Sequence, residues 1–143
     1  MASPHGEVLC NVLAVRQAAR QLTQLYDDEL GATGLRSTQY TVLARLARIQ
    51  PATMQDLADA LVMDRTTLTH NLKPLERDGL VAIAEDEVDR RVRRLRLTRH
   101  GEQTLASARI AWKRAQDRFE KAFGAKDAAE LRRLLARVVD ATR

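Results

Sequence analysis

The chain has 143 residues, a formal net charge of +5 and a pI of about 10.0, with aromatic residues at 3% and a single cysteine. This length fits one domain with a core of its own, and the basic balance suits nucleic acid or another acidic surface as partner. Scarce aromatics with abundant alanine, leucine and arginine favour a helical protein over a β-sandwich, and one cysteine excludes an intramolecular disulfide and fits a reducing cytoplasm.

The amino-terminal segment and the apolar runs indicate where the protein is located. The stretch MASPHGEVLC has no cationic segment followed by an apolar one, so no secretory signal is predicted. The longest uninterrupted apolar run, 80–84, has about five residues, whereas a membrane span needs roughly 20. We therefore expect a cytoplasmic protein with no membrane partner.

Three predicted helices occupy the first part of the chain. Apolar residues at spacings of three and four predict a helix over 7–30, which ends at a glycine. Ser37 is the expected N-cap of the second helix. After a break at 50–53, Thr53 and Asp56 resemble a capping box that opens the third helix.

A fourth helix and a basic hairpin come next. Asp64 can cap a helix over 65–78, which a glycine then stops. The apolar residues 80–84 predict a strand, the acidic stretch 85–89 a hairpin tip, and 90–97 a return strand.

Two further helices complete the predicted order α-α-α-α-β-β-α-α. Thr98 can cap a long fifth helix, and a break at 123–127 precedes the sixth. Short helices followed by a two-stranded hairpin form a winged helix-turn-helix, an arrangement that reads duplex DNA, so 35–98 is the predicted DNA-binding lobe. Helices over 7–30 and 99–143 have more apolar stripe than one small core can bury, which indicates a dimerisation region. The predicted fold class is mainly α with a minor α+β component, in a single chain-long unit.

One face of the fourth helix holds the candidate DNA-reading residues. With its leucines turned to the core, the outward side chains are hydroxyl-rich and basic: Arg65, Thr66, Thr67, Thr69, His70 and Lys73. Arginine can bind guanine O6 and N7 together, and threonine can offer a hydroxyl or contact a thymine methyl. Lys73 is better suited to a phosphate. The alternative is a solvated polar face, which the neighbouring basic hairpin disfavours.

The amino termini of the second and third helices are candidate phosphate sites, because backbone N–H groups are free there. The residues concerned are Ser37, Thr38 and Gln39 in the second helix and 53–55 in the third. For Thr53 ordinary capping is the preferred interpretation, and the two roles are compatible.

Three separated motifs establish a resemblance to a known family. The stretch DRRVRRLRLTRHG (89–101) has a wing pattern of Asp-x-Arg, then a hydrophobic residue, x, Leu-Thr, two residues and Gly. LADALVMDRTTLTHNLKPLERDGLV (57–81) has the helix-turn-helix pattern, and GLRSTQYTVLARL (34–46) matches the segment that opens the second helix. With these motifs in the right order and spacing, nearly the whole chain resembles the MarR (multiple-antibiotic-resistance regulator) family of bacterial transcription factors.

The resemblance implies a homodimeric transcriptional regulator that binds double-stranded DNA at a palindromic operator. It implies a repressor of a nearby gene, with a dimer built by the first helix and the last two. The fourth helix would enter the major groove. Asp89 would hold the Arg91 guanidinium so that it enters the minor groove, where arginine reads groove shape. Arg90 and the remaining wing arginines would contact phosphates or the acidic residues 85–87.

The resemblance leaves two kinds of regulatory signal open. The first is a small aromatic or phenolic acid in the crevice between the dimer helices and the DNA-binding lobe. A carboxylate needs a cation and an aromatic ring needs a stacking partner, so the candidate lining residues are Arg16, Arg20, Tyr26, Tyr40 and Trp112.

The second signal is oxidation of Cys10, which lies in the predicted first helix. Thiol-based sensors of the family have a first-helix cysteine that works with tyrosines. Aligning those tyrosines with Tyr26 and Tyr40 places the sensor position at Val12, about 200° around a helix from Cys10. We therefore interpret Cys10 as a small apolar residue of the core or of an interface.

Two other classes of function fit the sequence less well. An enzyme is disfavoured because no histidine pairs with cysteine or acids at metal-ligand spacing and no glycine loop could cradle a phosphate. No metal and no cofactor are predicted. A winged helix that binds protein rather than DNA is the other alternative, which the hydroxyl-rich face and the Asp89–Arg91 pair disfavour.

Overall fold

A computed structural model describes residues 9–143 as a mainly helical protein with one small sheet. Its helices are α1 (Asn11–Leu30), α2 (Ser37–Ile49), α3 (Met54–Leu61), α4 (Arg65–Arg77), α5 (Arg99–Phe123) and α6 (Ala125–Thr142), with a 3-10 turn (Gly31–Thr33) after α1. Its strands are β1 (Ala52–Thr53), β2 (Val81–Glu85) and β3 (Arg93–Leu97). The predicted winged helix-turn-helix is confirmed: α3 and α4 form the helix-turn-helix, and β2 and β3 form the wing.

The core of the winged lobe consists mostly of leucines from α2, α3, α4 and β3. Its largest fully buried side chains include Leu43, Leu46, Leu57, Leu68, Leu75 and Leu95. Burial of one such side chain contributes about 1.5–3 kcal/mol, so these contacts fix the position of α4. Leu105 and Ala108 of α5 belong to the same core, which means that the long helix begins inside the lobe.

The sheet has three antiparallel strands where the sequence predicted two. The order is β1-β3-β2, with Ala52 of β1 opposite Leu95 of β3 and Val81 of β2 opposite Leu97. The prediction missed β1 because it has only two residues and its partner is far away in the chain. Since β3 is the central strand, its two leucines are buried while Arg96 between them is exposed.

Three helix starts differ from the prediction. Helix α6 begins at Ala125, inside the predicted break over 123–127, because Gly124 alone separates it from α5. The first two residues of the predicted helix over 7–30 lie outside the described part of the chain, and α1 begins at Asn11, so Cys10 is its N-cap and not a helical residue. Arg36, and not Ser37, is the N-cap of α2. The reason is that the backbone N–H of Ser37 donates to Asp27 Oδ1 of α1 at 2.7 Å, which a search for local capping residues does not detect.

The other predicted caps are confirmed. Thr53 Oγ1 accepts from the Asp56 N–H at 3.0 Å while Asp56 Oδ2 accepts from the Thr53 N–H at 3.1 Å, which is a complete capping box on α3. Asp64 caps α4 and Thr98 caps α5. The start of each of these three helices is therefore fixed by a hydrogen bond from a backbone N–H to the N-cap side chain.

The first turn of α5 is joined tightly to the end of the helix-turn-helix. The Thr98 N–H donates to the Leu80 carbonyl at 3.1 Å, and its hydroxyl donates to the Gly79 carbonyl at 2.5 Å. The same hydroxyl oxygen accepts from the Gly101 N–H at 2.9 Å. A Cβ on Gly101 would stand 2.0 Å from the Leu80 oxygen, so only glycine allows this approach.

The terminal helices expose apolar side chains to solvent. Val12, Leu13 and Val15 of α1 are between 45% and 62% exposed, and Leu134 and Val138 of α6 are 40% and 50% exposed. Large apolar side chains exposed on two helices in this way are typical of a subunit interface. Within residues 9–143, no helix combines the length and the apolar character that a membrane crossing requires.

Candidate nucleic-acid interface

The start of α4 is held in place by its N-cap. Asp64 Oδ1 accepts from the Thr67 N–H at 2.8 Å, and the Thr67 hydroxyl donates to Asp64 Oδ2 at 2.8 Å. These bonds, the one from the Thr67 N–H first, hold the pKa of the Asp64 carboxyl below its usual value. The carboxylate therefore stays charged at neutral pH, and the first turn of α4 has a defined position.

All six predicted reading residues are exposed on α4: Arg65, Thr66, Thr67, Thr69, His70 and Lys73. Leu68, Leu72 and Leu75 are buried on the opposite side, as the helical spacing predicted. Neither Arg65 nor Lys73 forms a salt bridge within residues 9–143. Both cations are thus available to an external anion.

The threonine hydroxyls on this face are not equally available. The Thr67 hydroxyl is bound to its cap, and the Thr69 hydroxyl donates to the Arg65 carbonyl one turn earlier at 2.8 Å. In the part of the chain that the structure describes, the Thr66 hydroxyl has no hydrogen-bond partner. The sequence could not distinguish these three residues, because their side-chain rotamers depend on the cap and the preceding turn.

The wing loop (residues 86–92) is folded by one carboxylate. Asp86 Oδ2 accepts from the backbone N–H groups of Val88 at 3.1 Å and Asp89 at 3.0 Å, and Asp86 Oδ1 accepts from Arg94 Nε at 3.1 Å. These bonds hold the pKa of Asp86 below its usual value, with the Asp89 N–H as the largest cause and Arg94 next. The return strand was predicted to start at Arg90, but it starts at Arg93, because residues 90–92 belong to the wing loop.

Asp89 holds Arg91 in the contact that the resemblance implied. Arg91 Nε donates to Asp89 Oδ1 at 3.2 Å and Arg91 Nη2 to Oδ2 at 3.3 Å, while the Arg91 N–H donates to Oδ1 at 3.1 Å. The guanidinium is the main reason that the pKa of Asp89 is lowered. The Arg91 side chain is nevertheless 92% exposed, so it stands out from the loop in a defined orientation.

A groove between α4 and the wing brings the two predicted elements together. One part of it, with a volume of about 470 Å³, is lined by Arg65 of α4 together with Arg91 and Arg93 of the wing. An adjoining part of the same volume, about 470 Å³, has Leu72 and Ile83 in its wall. Arg93 was predicted only as one of the remaining wing arginines that contact phosphates or acidic residues, although its strand parity with Leu95 places it on the side that faces α4.

The predicted phosphate site at the start of α2 is smaller than expected. The Ser37 N–H donates to Asp27, and the Arg36 N–H donates to the Gln39 side chain at 2.9 Å. Of the backbone N–H groups at the start of α2, only those of Thr38 and Gln39 therefore have no partner within residues 9–143. Asp27 is well placed for this contact, since a carboxylate is stabilised at a helix amino terminus.

The five candidate effector residues lie in three different places. Tyr40 stacks on Trp112, with ring centroids 5.9 Å apart and planes inclined by 16°, and both line a pocket of about 540 Å³. Arg16 and Arg20 lie on a separate exposed face of α1. Tyr26 donates its hydroxyl to Gln116 Oε1 of α5 at the α1–α5 contact, where burial raises its pKa.

The expectation that these five residues line one crevice is therefore wrong within a single chain. Helical periodicity gives the face on which a residue lies, but the packing of α1 against α5 decides which faces meet. The aromatic pair is instead accompanied by three arginines that were not predicted: Arg45, Arg48 and Arg109. Cys10 is exposed, so it is not a residue of this chain's core.

The sequence of this chain is similar to those of known transcription regulators. The family model described as MarR family matches residues 35–92, from α2 to the wing loop. The transcriptional regulator HosA of Escherichia coli is 34% identical over 94 residues, which are 66% of this chain and 68% of HosA. The chain belongs to the MarR family.

Two further relatives show how far the similarity of this MarR-family chain extends. The M. tuberculosis transcriptional regulator MosR, solved in complex with DNA, is 34% identical with a TM-score of 0.81, covering 94% of this chain and 99% of MosR. BadR of Rhodopseudomonas palustris, a transcriptional activatory protein, is 36% identical over 100 residues, 66% of this chain and 57% of BadR. The chain spans about three fifths of the length of the first curated relatives. All of these relatives are named as transcription regulators and not as enzymes, in agreement with the prediction.

Proposed function

We propose that the protein is a homodimeric transcriptional regulator that binds a palindromic operator in double-stranded DNA. The main support is the groove in which Arg65 of α4 and Arg91 of the wing line one exposed cationic surface. Arginines on a helix and on an adjoining loop can contact a major groove and the neighbouring minor groove at once. The similarity to MosR, which has been solved with DNA, agrees with this function.

Each predicted residue has a role in this proposal. Within the lobe 35–98, Arg65, Thr66 and His70 contact bases in the major groove. Arg91, oriented by Asp89, enters the minor groove. Contacts to the phosphate backbone fix the position of the lobe; they come from Lys73, Arg90, the Ser37 side chain and the free N–H groups of Thr38 and Gln39 at the start of α2. Thr67 holds the cap of α4, and Thr69 completes the reading face.

A dimer accounts for the rest of the chain. The helices in 7–30 and 99–143 would pack against the same helices of a second copy, and this packing would bury the exposed apolar residues of α1 and α6. Two α4 helices related by a two-fold axis read two half-sites about 34–36 Å apart, which requires a palindromic sequence. A regulator of this kind acts on bacterial chromosomal DNA, so we place it in the cytoplasm.

DNA binding and the wing assignment are tested together by electrophoretic mobility shift with the DNA upstream of the protein's own gene. Arg91→Ala should weaken binding about tenfold or more and reduce the slope of log affinity against log salt by about 1. Arg133→Ala is a matched control, because Arg133 also forms a two-bond pair with a nearby carboxylate, that of Glu130, but lies on α6. Sedimentation of both variants checks that the dimer is intact.

The outcomes separate the proposal from its alternative. Unchanged affinity of Arg91→Ala at moderate salt would show that the wing assignment is wrong. If neither the upstream DNA nor other genomic fragments give a salt-sensitive shift, the lobe is a protein-binding winged helix instead.

We further propose that the regulator is a repressor of a nearby gene and is released by a small aromatic acid. The pocket beside Tyr40 and Trp112 supports this, since the stacked rings can receive an aromatic ring and Arg45, Arg48 and Arg109 can receive its carboxylate. Trp112 is the only tryptophan of the chain, so its fluorescence reports on this pocket alone.

Titration with benzoate and with hydroxybenzoates tests the effector site. We expect saturable quenching of Trp112, weaker binding by Arg109→Ala, and release of the upstream DNA at the same ligand concentrations. Binding that Arg109→Ala leaves unchanged would place the ligand elsewhere, and quenching without release of DNA would exclude the pocket as the regulatory site.

A further inference from the structure

We propose that Thr69 reads a thymine through its side-chain methyl group and not through its hydroxyl. The inference rests on the proposed function, because it requires α4 to enter the major groove of DNA. It assigns an apolar methyl contact to Thr69 and a thymine to the operator.

The hydroxyl of Thr69 is already used inside the protein. It donates to the Arg65 carbonyl at 2.8 Å, and a hydroxyl has a single proton to donate. While this bond is present, Thr69 cannot donate to a phosphate, to guanine O6 or N7, or to thymine O4. What remains toward DNA is the γ-methyl group and the lone pairs of a hydroxyl oxygen that lies against the helix backbone.

The surroundings of Thr69 favour the methyl contact. Thr69 is exposed and lines the groove between α4 and the wing, together with the apolar side chains of Met54, Leu72 and Ile83. The same part of the groove is also lined by charged residues: Arg65, Lys73, Glu76, Arg77 and Arg93. A thymine presents its 5-methyl group in the major groove, where an apolar partner gains from covering it. An adenine or cytosine amino group would instead require the Thr69 oxygen to accept a bond at the edge of an apolar wall.

The neighbouring threonines differ from Thr69 in ways that provide controls. The Thr66 hydroxyl has no partner within residues 9–143, so it is the hydroxyl of this face that can donate to DNA. The Thr67 hydroxyl is held by Asp64, and by helical rotation Thr67 lies about 160° from Thr69, on the flank away from the groove. Thr67 therefore stabilises the cap of α4 and does not contact a base of the DNA.

The geometry of α4 also limits where the thymine lies in the operator. Arg65 and Thr69 are one helical turn apart, about 6 Å along the axis. Base pairs are stacked about 3.4 Å apart. The thymine should therefore lie within two base pairs of the base that Arg65 contacts.

The experiment uses the full-length dimer and an operator selected from a random DNA pool. Two variants separate the groups of the side chain: Thr69→Val keeps the branched apolar shape and removes the hydroxyl, whereas Thr69→Ser keeps the hydroxyl and removes the methyl. On the DNA, uracil in place of thymine removes only the 5-methyl group, one position at a time. Circular dichroism melting confirms that each variant is folded.

We expect Thr69→Val to bind like the wild type. Thr69→Ser should bind about fourfold more weakly per half-site, the effect of losing one buried carbon. Uracil at one symmetric pair of positions should weaken wild-type binding by the same factor, and should have no further effect on Thr69→Ser. As controls, Thr66→Val should weaken binding, and Thr67→Val should lower the melting temperature without changing the uracil profile.

Two results would overturn the inference while leaving DNA binding intact: weaker binding by Thr69→Val with unchanged binding by Thr69→Ser, or additive effects of uracil and Thr69→Ser. Failure of the dimer to select any DNA would instead refute the proposed function, and the role of Thr69 with it.

Discussion

The contact between Gly101 and Leu80 makes a sharp prediction about stability. Replacing Gly101 by alanine adds one methyl group to a helical residue, a change that normally stabilises a helix by about 0.5–1 kcal/mol. Here, however, the new Cβ would stand 2.0 Å from the Leu80 oxygen and 2.9 Å from its carbonyl carbon. These are backbone atoms, so no rotation of a side chain can relieve the overlap.

The magnitude follows from the distance that must be gained. Ordinary contact begins at 3.4 Å, so the first turn of α5 and Leu80 must move apart by about 1.4 Å. That movement breaks the bonds of Thr98 to Leu80 and Gly79, each worth about 1 kcal/mol, and adds an overpacking cost of about 1–3 kcal/mol. After subtraction of the helix gain of about 0.5–1 kcal/mol, we expect Gly101→Ala to lower the free energy of unfolding by about 2–4.5 kcal/mol.

Urea denaturation at one fixed protein concentration measures the effect, since the stability of the proposed dimer would depend on concentration. Gly31→Ala is the matched control: Gly31 has φ −51° and ψ −40°, and nothing lies within 4 Å of the position its Cβ would take. That variant should be more stable than the wild type by about 0.4–1 kcal/mol. A Gly101→Ala midpoint at or above the wild-type value would refute the packing argument.

Three other predictions test separate features. Val62 ends α3 in the left-handed region, with φ 52° and ψ 51°, and is 57% exposed. Because asparagine tolerates this backbone conformation better than valine, Val62→Asn should raise the free energy of unfolding by about 1 kcal/mol. A lower urea midpoint would contradict this. The pKa values of Asp86 and Asp89 are lowered in the folded state, so their stabilisation is present above the unfolded value of 3.8 and is lost as the pH falls through the folded values. Asp86→Asn should therefore reduce the loss of stability as the pH falls below about 4, near the pKa of an unfolded carboxyl group. An unchanged acid profile would show that the loop bonds are not maintained in solution. Peroxide should not release DNA, because Cys10 is the N-cap at the start of α1 and has no second cysteine in its own chain with which to form an intramolecular disulfide; a loss of binding that Cys10→Ser abolishes would make the protein an oxidant sensor.

The sequence predicts those features of the fold that depend on nearby residues. The caps of α3, α4 and α5 were predicted from single hydroxyl or carboxylate residues, because each bonds a backbone group three positions away. The Asp89–Arg91 contact spans two residues, and the family pattern was sufficient to predict it. The face of α4 followed from its leucines alone.

Features that depend on distant contacts were missed. Strand β1 exists because Ala52 pairs with Leu95, and no property of residues 50–53 indicates that partner. The start of α2 moved because Asp27 reaches it from α1. The aromatic pocket has the same origin: Tyr40 and Trp112 meet only through the packing of α2 on α5, which also brings Arg109 beside them.

The joint at Gly101 has a mechanical consequence. Helix α5 has 25 residues and is about 37 Å long, with one end clamped to the lobe by Thr98 and the other in the predicted dimer region. A rotation of about 5° at the clamp would displace the far end by about 3 Å, close to the rise of one base pair in DNA. In the proposed dimer, helix α5 would act as a lever that turns about the joint formed by Thr98, Gly101 and Leu80. The stiffness of that joint would set how closely the two lobes of the proposed dimer must match the spacing of a DNA site.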